Sequence, residues 1–207
     1  MELWAVVLAA GQARRMGGIP KPLIPVDGEP MVRRVLRRAL EVADRAAVVV
    51  GFSAEQVEAA VFDLGSPRIV IVRNPRFAEG MSTSLKAGIG ALPPEAAGAL
   101  VMLADQPGVS VDSLRLLKNA WRRPLGPSAA CPVVACRYPD GNPGPPCILG
   151  RAIWGKLAAL EGDRGARQVL ARLGPWIHAV EAPVEELADI DTPADLAAWR
   201  QGRAARL

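Results

Sequence analysis

Aromatic residues make up only 4% of the chain. A core built on stacked rings is therefore excluded, and the interior has to be Val, Leu and Ala. The same scarcity removes the usual nucleic-acid surface, in which basic charge is interleaved with stacking aromatics. His178 is the only histidine. It lies in an apolar stretch without a nucleophile elbow elsewhere, so Ser-His-Asp hydrolysis has no support and a structural histidine is expected. The cysteines are Cys131, Cys136 and Cys147. An odd number without C-x-x-C spacing suggests neither a disulfide framework nor a zinc site, and buried or loop thiols are expected. No apolar run reaches the ~18 residues that span a bilayer. Met1-Glu2-Leu3 lacks the basic start of a signal peptide, so a cytoplasmic protein with no membrane partner is expected.

Apolar residues form half of the 207 positions, enough for one well-buried core, and one domain is the default. Gly and Pro are abundant, at 20 and 19, which implies many sharp loops. The net charge is +4. Much of the excess is local, in Arg33, Arg34, Arg37 and Arg38 and in Arg200, Arg203 and Arg206. Solvated helix faces account for these clusters better than a nucleic-acid partner does. A phosphate-rich small molecule also suits the balance.

The most informative stretch is the first. Leu3 to Leu8 reads as a buried strand running into Ala9-Ala10-Gly11, with Arg14, Arg15, Gly17, Gly18 and Lys21 following. Small residues let backbone N–H groups approach an anion, and the cations neutralise its charge. This is neither G-x-G-x-x-G nor a Walker A loop. A plain Gly turn with a solvated basic loop is the alternative.

From there the pattern alternates. A loop over 11–30 leads to a helix with Val32, Val35, Leu36, Ala39 and Leu40 at helical spacing. A strand over 46–50, a helix over 54–62 capped by Ser53, and a strand over 68–72 come next. A loop-to-helix junction at 80–85, a strand over 99–104 and a helix over 111–122 complete the first half. Strand–helix alternation predicts an α/β fold with a mainly parallel sheet. Beyond it the spacing predicts a strand over 131–137, a loop over 138–146 and a helix over 150–160. A helix to about Leu173, a strand over 176–180 and a last helix opened by Thr192-Pro193 follow.

Ligands of open α/β sheets bind at the carboxyl ends of strands. Four groups map there: the 9–21 loop, the 80–84 loop, Asp105, and the Asp189/Asp191 pair. Together they suggest a triphosphate with a divalent metal. Arg15 and Lys21 offer charge, and Ser82 and Ser84 could read a base. Asp105 and Asp191 offer hard oxygen ligands for Mg²⁺. Each has a plainer role: Asp105 could cap a turn, Asp191 could open a helix, and the serines could be caps.

Leu8-Ala9-Ala10-Gly11, Arg15-Met16-Gly17 and Lys21-Pro22-Leu23 resemble the signature of GT-A-like nucleotidyltransferases. The stretches at 80–88, 104–107, 162–167 and 189–193 resemble, in the same order, motifs of the molybdenum cofactor cytidylyltransferase group, relatives of the molybdopterin guanylyltransferases. The resemblance implies a single Rossmann-like domain over 1–207, a mixed and mainly parallel sheet flanked by helices. Residues 1–122 would form the nucleotide-binding half, and 123–207 an acceptor-side lobe and C-terminal return. It implies Mg²⁺-dependent transfer of a nucleoside monophosphate to a terminal phosphate on molybdopterin, with loss of pyrophosphate. Leu8, Ala9, Ala10 and Gly11 would hold base and phosphates, and Gly80, Ser82 and Ser84 would lie against the base. Arg15 and Lys21 would stabilise triphosphate charge. Asp105 would bind the metal with Asp191 as second ligand. Ala10 stands where guanylyl relatives tend to have Gly, which favours CTP. Pro145 stands where the acceptor-side segment usually has His. Lys21 to Gly28 also reads much like sugar-1-phosphate nucleotidyltransferases. A nucleotide-binding accessory protein without turnover is the reading from another class.

Overall fold

A computed structural model describes residues 1–11, 19–123, 133–157, 170 and 177–204. Its centre is β1 (Glu2–Ala9), an apolar run in which Leu3 to Ala9 are all buried. A strand buried on both faces must sit inside a sheet with layers on either side. Alternation of side chains then divides it. Leu3, Ala5, Val7 and Ala9 enter one core, and Trp4, Val6 and Leu8 enter the other.

The first core is covered by α1 (Met31–Leu40), α2 (Ala54–Phe62) and α4 (Val111–Arg122). The second is covered by α3 (Met81–Gly90) and the short α5 (Trp154–Leu157). Besides β1, the sheet comprises β4 (Arg45–Val50), β5 (Ile69–Arg73), β6 (Ala96–Leu103), β7 (Val133–Arg137), β8 (Pro143–Gly150) and β9 (Ile177–Glu181). The strand order is β5-β4-β1-β6-β8-β7-β9, and β8 alone runs against the others. This is the expected α/β, mainly parallel, Rossmann-like sheet. The chain winds from β1 outward to β5, then returns to place β6 on the other flank of β1. That reversal opens a crevice beyond the carboxyl ends of β1 and β6.

Several local expectations change. The 11–30 loop contains a 3-10 turn at Lys21–Leu23 and a hairpin of β2 (Pro25–Val26) and β3 (Glu29–Pro30). Its turn is Asp27-Gly28, both at positive φ, the geometry that two-residue hairpins prefer. The region expected as a loop over 138–146 is instead a hairpin tip followed by β8. Gly141, at φ 81°, closes the tip, and Tyr138 N–H donates to the Asn142 carbonyl at 2.9 Å. Three prolines fit in β8 because β6 pairs only with its Cys147–Gly150 end, and the β7 ladder is irregular beside them. The helix expected over 150–160 begins as the end of β8, passes through a 3-10 turn and becomes α5. Cys131, Trp176 and Gly162 to Arg167 lie outside the described residues.

The α1 arginines are not simply solvated. Arg34 is buried, and its Nε donates to the Pro107 carbonyl at 3.1 Å. Arg38 Nη1 reaches the same carbonyl at 2.6 Å and also that of Val109. Both therefore pin α1 to the loop after β6. His178 is exposed on β9, an edge strand, and is no core histidine. Cys136 and Cys147 are buried, as expected. Desolvation pushes the Cys136 thiol up to about 12 and raises Cys147 as well. Ser53 precedes α2 at φ 54° but makes no side-chain cap bond. Thr192 does cap the final helix (Pro193–Ala204): its Oγ1 accepts from Asp195 N–H at 3.2 Å, and Asp195 accepts from Thr192 N–H at 2.7 Å.

Helix α3 lies close to the sheet at Gly88, where a Cβ would stand 2.5 Å from Val6 Cγ1 and 2.8 Å from Val49 Cγ2. Gly90, one half-turn on, has open space. Gly88→Ala should therefore lower unfolding free energy by ~1–3 kcal/mol, the usual size of overpacking. Gly90→Ala should raise it by up to ~0.5 kcal/mol through helix propensity. Urea denaturation of both variants checks the opposite signs.

Candidate functional site

The crevice at the switch in winding holds a cavity of about 650 Å³. One wall is the end of β1 and its exit, Leu8 to Gly11. Ala10 is buried, while a side chain at Gly11 would meet nothing, so the backbone lies open to the cavity there. A second wall is the Phe77–Glu79 turn with Gly80, Met81 and Ser84 at the start of α3. Gly51, at the end of β4, lets these walls meet: a Cβ there would lie 2.6 Å from Phe77 Cβ and 2.9 Å from Ala10 Cβ. Gly80 sits at φ 115°, a conformation that favours glycine, and starts the turn into α3.

Charged groups also line the cavity, and they begin beside the β1 exit, where Ala104 N–H donates to the Leu8 carbonyl at 3.1 Å. Asp105 follows β6, and Lys21 opens the 3-10 turn that leads into β2. Lys21 Nζ donates to Asp105 Oδ2 at 2.7 Å and also to Asp191 Oδ1. Three local devices set this meeting. Ile190 N–H donates to the Asp105 carbonyl at 2.9 Å. Ile190 packs with Ile24, Val26 and Met31, and Leu196 and Trp199 of the final helix pack against them. The Thr192/Asp195 cap holds the backbone just after, with Asp195 accepting from Asp191 N–H at 3.0 Å. Burial works against the Lys21 ammonium, but the charge and hydrogen bond of Asp105, with those of Asp191, outweigh it and raise its pKa. Asp189 keeps one side in solvent while protein crowds the other. Desolvation and then the Asp105 charge push its carboxyl upward, to about 6.

Of the residues singled out from the sequence, Leu8, Ala9, Ala10, Gly11, Lys21, Gly80, Ser84, Asp105 and Asp191 all line this cavity. Ser82 is buried in α3 away from the lining. Arg15 lies outside the described residues. Sequence reasoning missed Phe77 and Asn74. Asn74 is buried at the end of β5, and its Nδ2 donates to Thr83 Oγ1 at 2.9 Å and Ser84 Oγ at 3.0 Å. Its Oδ1 accepts from Arg76 N–H at 3.0 Å. One side chain thus ties the turn to α3. The only signal was the Asn-Pro step after a strand, which marks a turn but does not reveal a partner ten residues on.

No group of three or more metal-ligating side chains forms among the described residues. The hard-oxygen pair Asp105 and Asp191 nevertheless suits a divalent cation that is completed by substrate phosphates and water. Asp105 Oδ1 is buried and has no hydrogen-bond partner. Such an orphaned carboxylate oxygen is accounted for by a ligand that the protein itself does not supply.

A mainly parallel α/β sheet whose switch-point crevice gathers a bare backbone turn, a lysine and carboxylates is the frame of a nucleoside-triphosphate transferase. Residues 5–177 match the MobA-like NTP transferase domain, and the chain belongs to that family. The bifunctional protein GlmU of Xylella fastidiosa is 30% identical over 186 residues, covering 89% of this chain and 37% of GlmU. The chain thus spans between a quarter and just over a third of the GlmU proteins it matches. Nicotine blue oxidoreductase of Paenarthrobacter nicotinovorans is 33% identical over 195 residues, covering 90% of this chain and 91% of that protein. The crystal structure of Rv0371c from Mycobacterium tuberculosis superposes with a TM-score of 0.77 at 29% identity, covering 97% of this chain and 99% of that one. Rv0371c has also been solved in complex with manganese.

Asn74→Ala would leave the buried Ser84 hydroxyl without its donor. Loss of one such partner costs ~1–3 kcal/mol. Chemical denaturation should show that decrease, and a value within error of the parent would show that the Asn74 bonds do not hold this wall.

Proposed function

We propose that this chain is a cytidylyltransferase that moves CMP from CTP onto the terminal phosphate of molybdopterin and releases pyrophosphate. The observation that carries the reading is the placement of Lys21 against Asp105 and Asp191, in one cavity with the small-residue exit of β1. In this reading the whole chain acts as one domain in the cytoplasm. Residues 1–122 hold the nucleotide and 123–207 face the acceptor. No helix among the described residues is long and apolar enough to cross a membrane.

The reaction joins two anions. An oxygen of the acceptor phosphate attacks the α-phosphorus, a new P–O bond forms, and the bond to the bridging oxygen of the leaving pyrophosphate breaks. Catalysis is then alignment and charge neutralisation, without a covalent enzyme intermediate. The backbone of Leu8 to Gly11 fixes the nucleotide, with Gly80 and Ser84 against the base. Ser82, buried behind that wall, shapes it from beneath. Lys21 and Arg15 neutralise the phosphates. Asp105 and Asp191 would hold Mg²⁺, which supplies positive charge to the α-phosphate and the leaving group. The manganese bound by Rv0371c supports a divalent cation in this family.

Ala10 supports the choice of CTP. Its methyl group is buried near Gly51, and Ala10 lines the cavity; the extra carbon relative to glycine leaves less room for a purine there. For the acceptor, Pro145 replaces a histidine and is built into the fold, its carbonyl accepting from the Tyr138 hydroxyl at 2.5 Å. The run from Lys21 to Gly28, which resembles sugar-1-phosphate nucleotidyltransferases, favours a second reading, transfer to a sugar phosphate. Similarity to nicotine blue oxidoreductase along nine-tenths of the chain keeps a third in view, a nucleotide-binding protein serving redox chemistry without nucleotidyl transfer.

Pyrophosphate release from CTP, GTP, ATP and UTP, each with molybdopterin and with sugar 1-phosphates, separates these readings. Metal-dependent release with CTP and molybdopterin is expected. A clear preference for GTP, or for a sugar phosphate, would replace the corresponding half of the assignment, and no release with any pair would favour the third reading. Lys21→Ala and Asp105→Ala should each lower turnover by at least ~100-fold, the size expected for one electrostatic stabiliser. Near-parental turnover in either folded variant would remove that residue from the catalytic set.

A further inference from the structure

Among the described residues, Lys21 faces Glu79, Asp105, Asp189 and Asp191. A triphosphate entering this lining would meet excess negative charge. Among the described lining residues Lys21 is the cation, and it is already engaged, because its Nζ is hydrogen-bonded to both Asp105 and Asp191. Its side chain is only 16% exposed, so little of the ammonium is left for another anion. At the same time Asp105 Oδ1 stays buried without a partner. Lys21 therefore neutralises the two carboxylates without satisfying them.

Resting on the nucleotidyltransferase reading, we propose that Lys21 is the resident cation of this site. Its ammonium occupies the seat between Asp105 and Asp191 that a divalent cation would share. Occupation by the metal and the Lys21 bridge are mutually exclusive, and nucleotide phosphates favour the exchange by giving the released ammonium a new partner. Two like-charged carboxylates brought together by the fold repel each other, and a cation between them relieves the repulsion. The lysine is that cation in the empty protein and keeps the pair assembled. When a divalent cation takes over both carboxylates, the ammonium is freed where phosphate charge arrives. Metal alone should then bind weakly, and metal with nucleotide should bind cooperatively. The coupling is reciprocal by thermodynamic necessity.

The test is Mn²⁺ binding in the absence of nucleotide, followed by the electron paramagnetic resonance signal of the free ion. Lys21→Met and, as a second variant, Lys21→Gln should bind Mn²⁺ roughly tenfold more tightly than the parent, within the usual size of coupling between sites. Adding Asp105→Asn to either variant should abolish the gain, which locates it. Equal or weaker binding in the folded single variants would overturn the proposal and make Lys21 an organiser that the metal needs in place. The parent protein gives an independent readout. Acetylation of Lys21 by a neutral succinimidyl ester, read by mass spectrometry, should accelerate when Mn²⁺ is added without nucleotide. Unchanged or slower labelling would equally overturn it. Neither measurement depends on turnover. A protein that shows the exchange but releases no pyrophosphate would refute the nucleotidyltransferase reading and leave the exchange standing.

Discussion

The structure turns on one ammonium group held between two carboxylates that the chain delivers from its middle and from near its end. Lys21 comes from the loop after the first strand, Asp105 from the end of the sixth, and Asp191 from the approach to the last helix. Lys21, the most buried of the three, is the group that most needs partners, because desolvation disfavours its charged form. Together they close the cavity on one side and tie the C-terminal segment to the sheet. The hydrophobic part of the tie is the small cluster of Ile24, Val26, Met31 and Ile190. The polar part is the backbone bond from Ile190 to Asp105.

The rest of the fold delivers these groups. An apolar β1 must be interior, an interior parallel strand needs helices on both faces, and the switch in winding beside it leaves a crevice at its carboxyl end. Close packing sharpens the position of the crevice walls. Gly88 lets α3 approach Val6 and Val49, and Gly51 lets Phe77 approach Ala10. Arg34 and Arg38 hold α1 to the loop that carries Asp105 onward. Rigid elements thus present a bare backbone turn, an aromatic wall and a charged wall across one cavity.

Much of this was legible in the sequence, for physical reasons. The strands of the first half are short apolar runs punctuated by Gly, Pro or Asp, and α1 shows helical spacing. Family motifs pointed to Lys21, Asp105 and Asp191, and the structure brings those three side chains into contact. What local pattern could not reveal was long-range pairing. Nothing around Asn74 points to Thr83 and Ser84. Nothing in α1 shows that Arg34 and Arg38 serve carbonyls across the fold while Arg37 pairs with Glu29. The prolines of β8 misled because proline normally argues against a strand, and only the sheet register shows that they fall where the ladder is irregular. His178 misled because apolar neighbours on an edge strand do not ensure burial.

The central claim is that the crevice at the ends of β1 and β6 takes a nucleoside triphosphate with a divalent cation. Hydrogen–deuterium exchange with and without CTP and Mn²⁺ tests it most directly. The account predicts slower exchange at 8–11, 77–85, 103–106 and 189–192, with β5 and β9 unchanged. Protection centred on either of those edge strands, with the crevice segments unaffected, would contradict it.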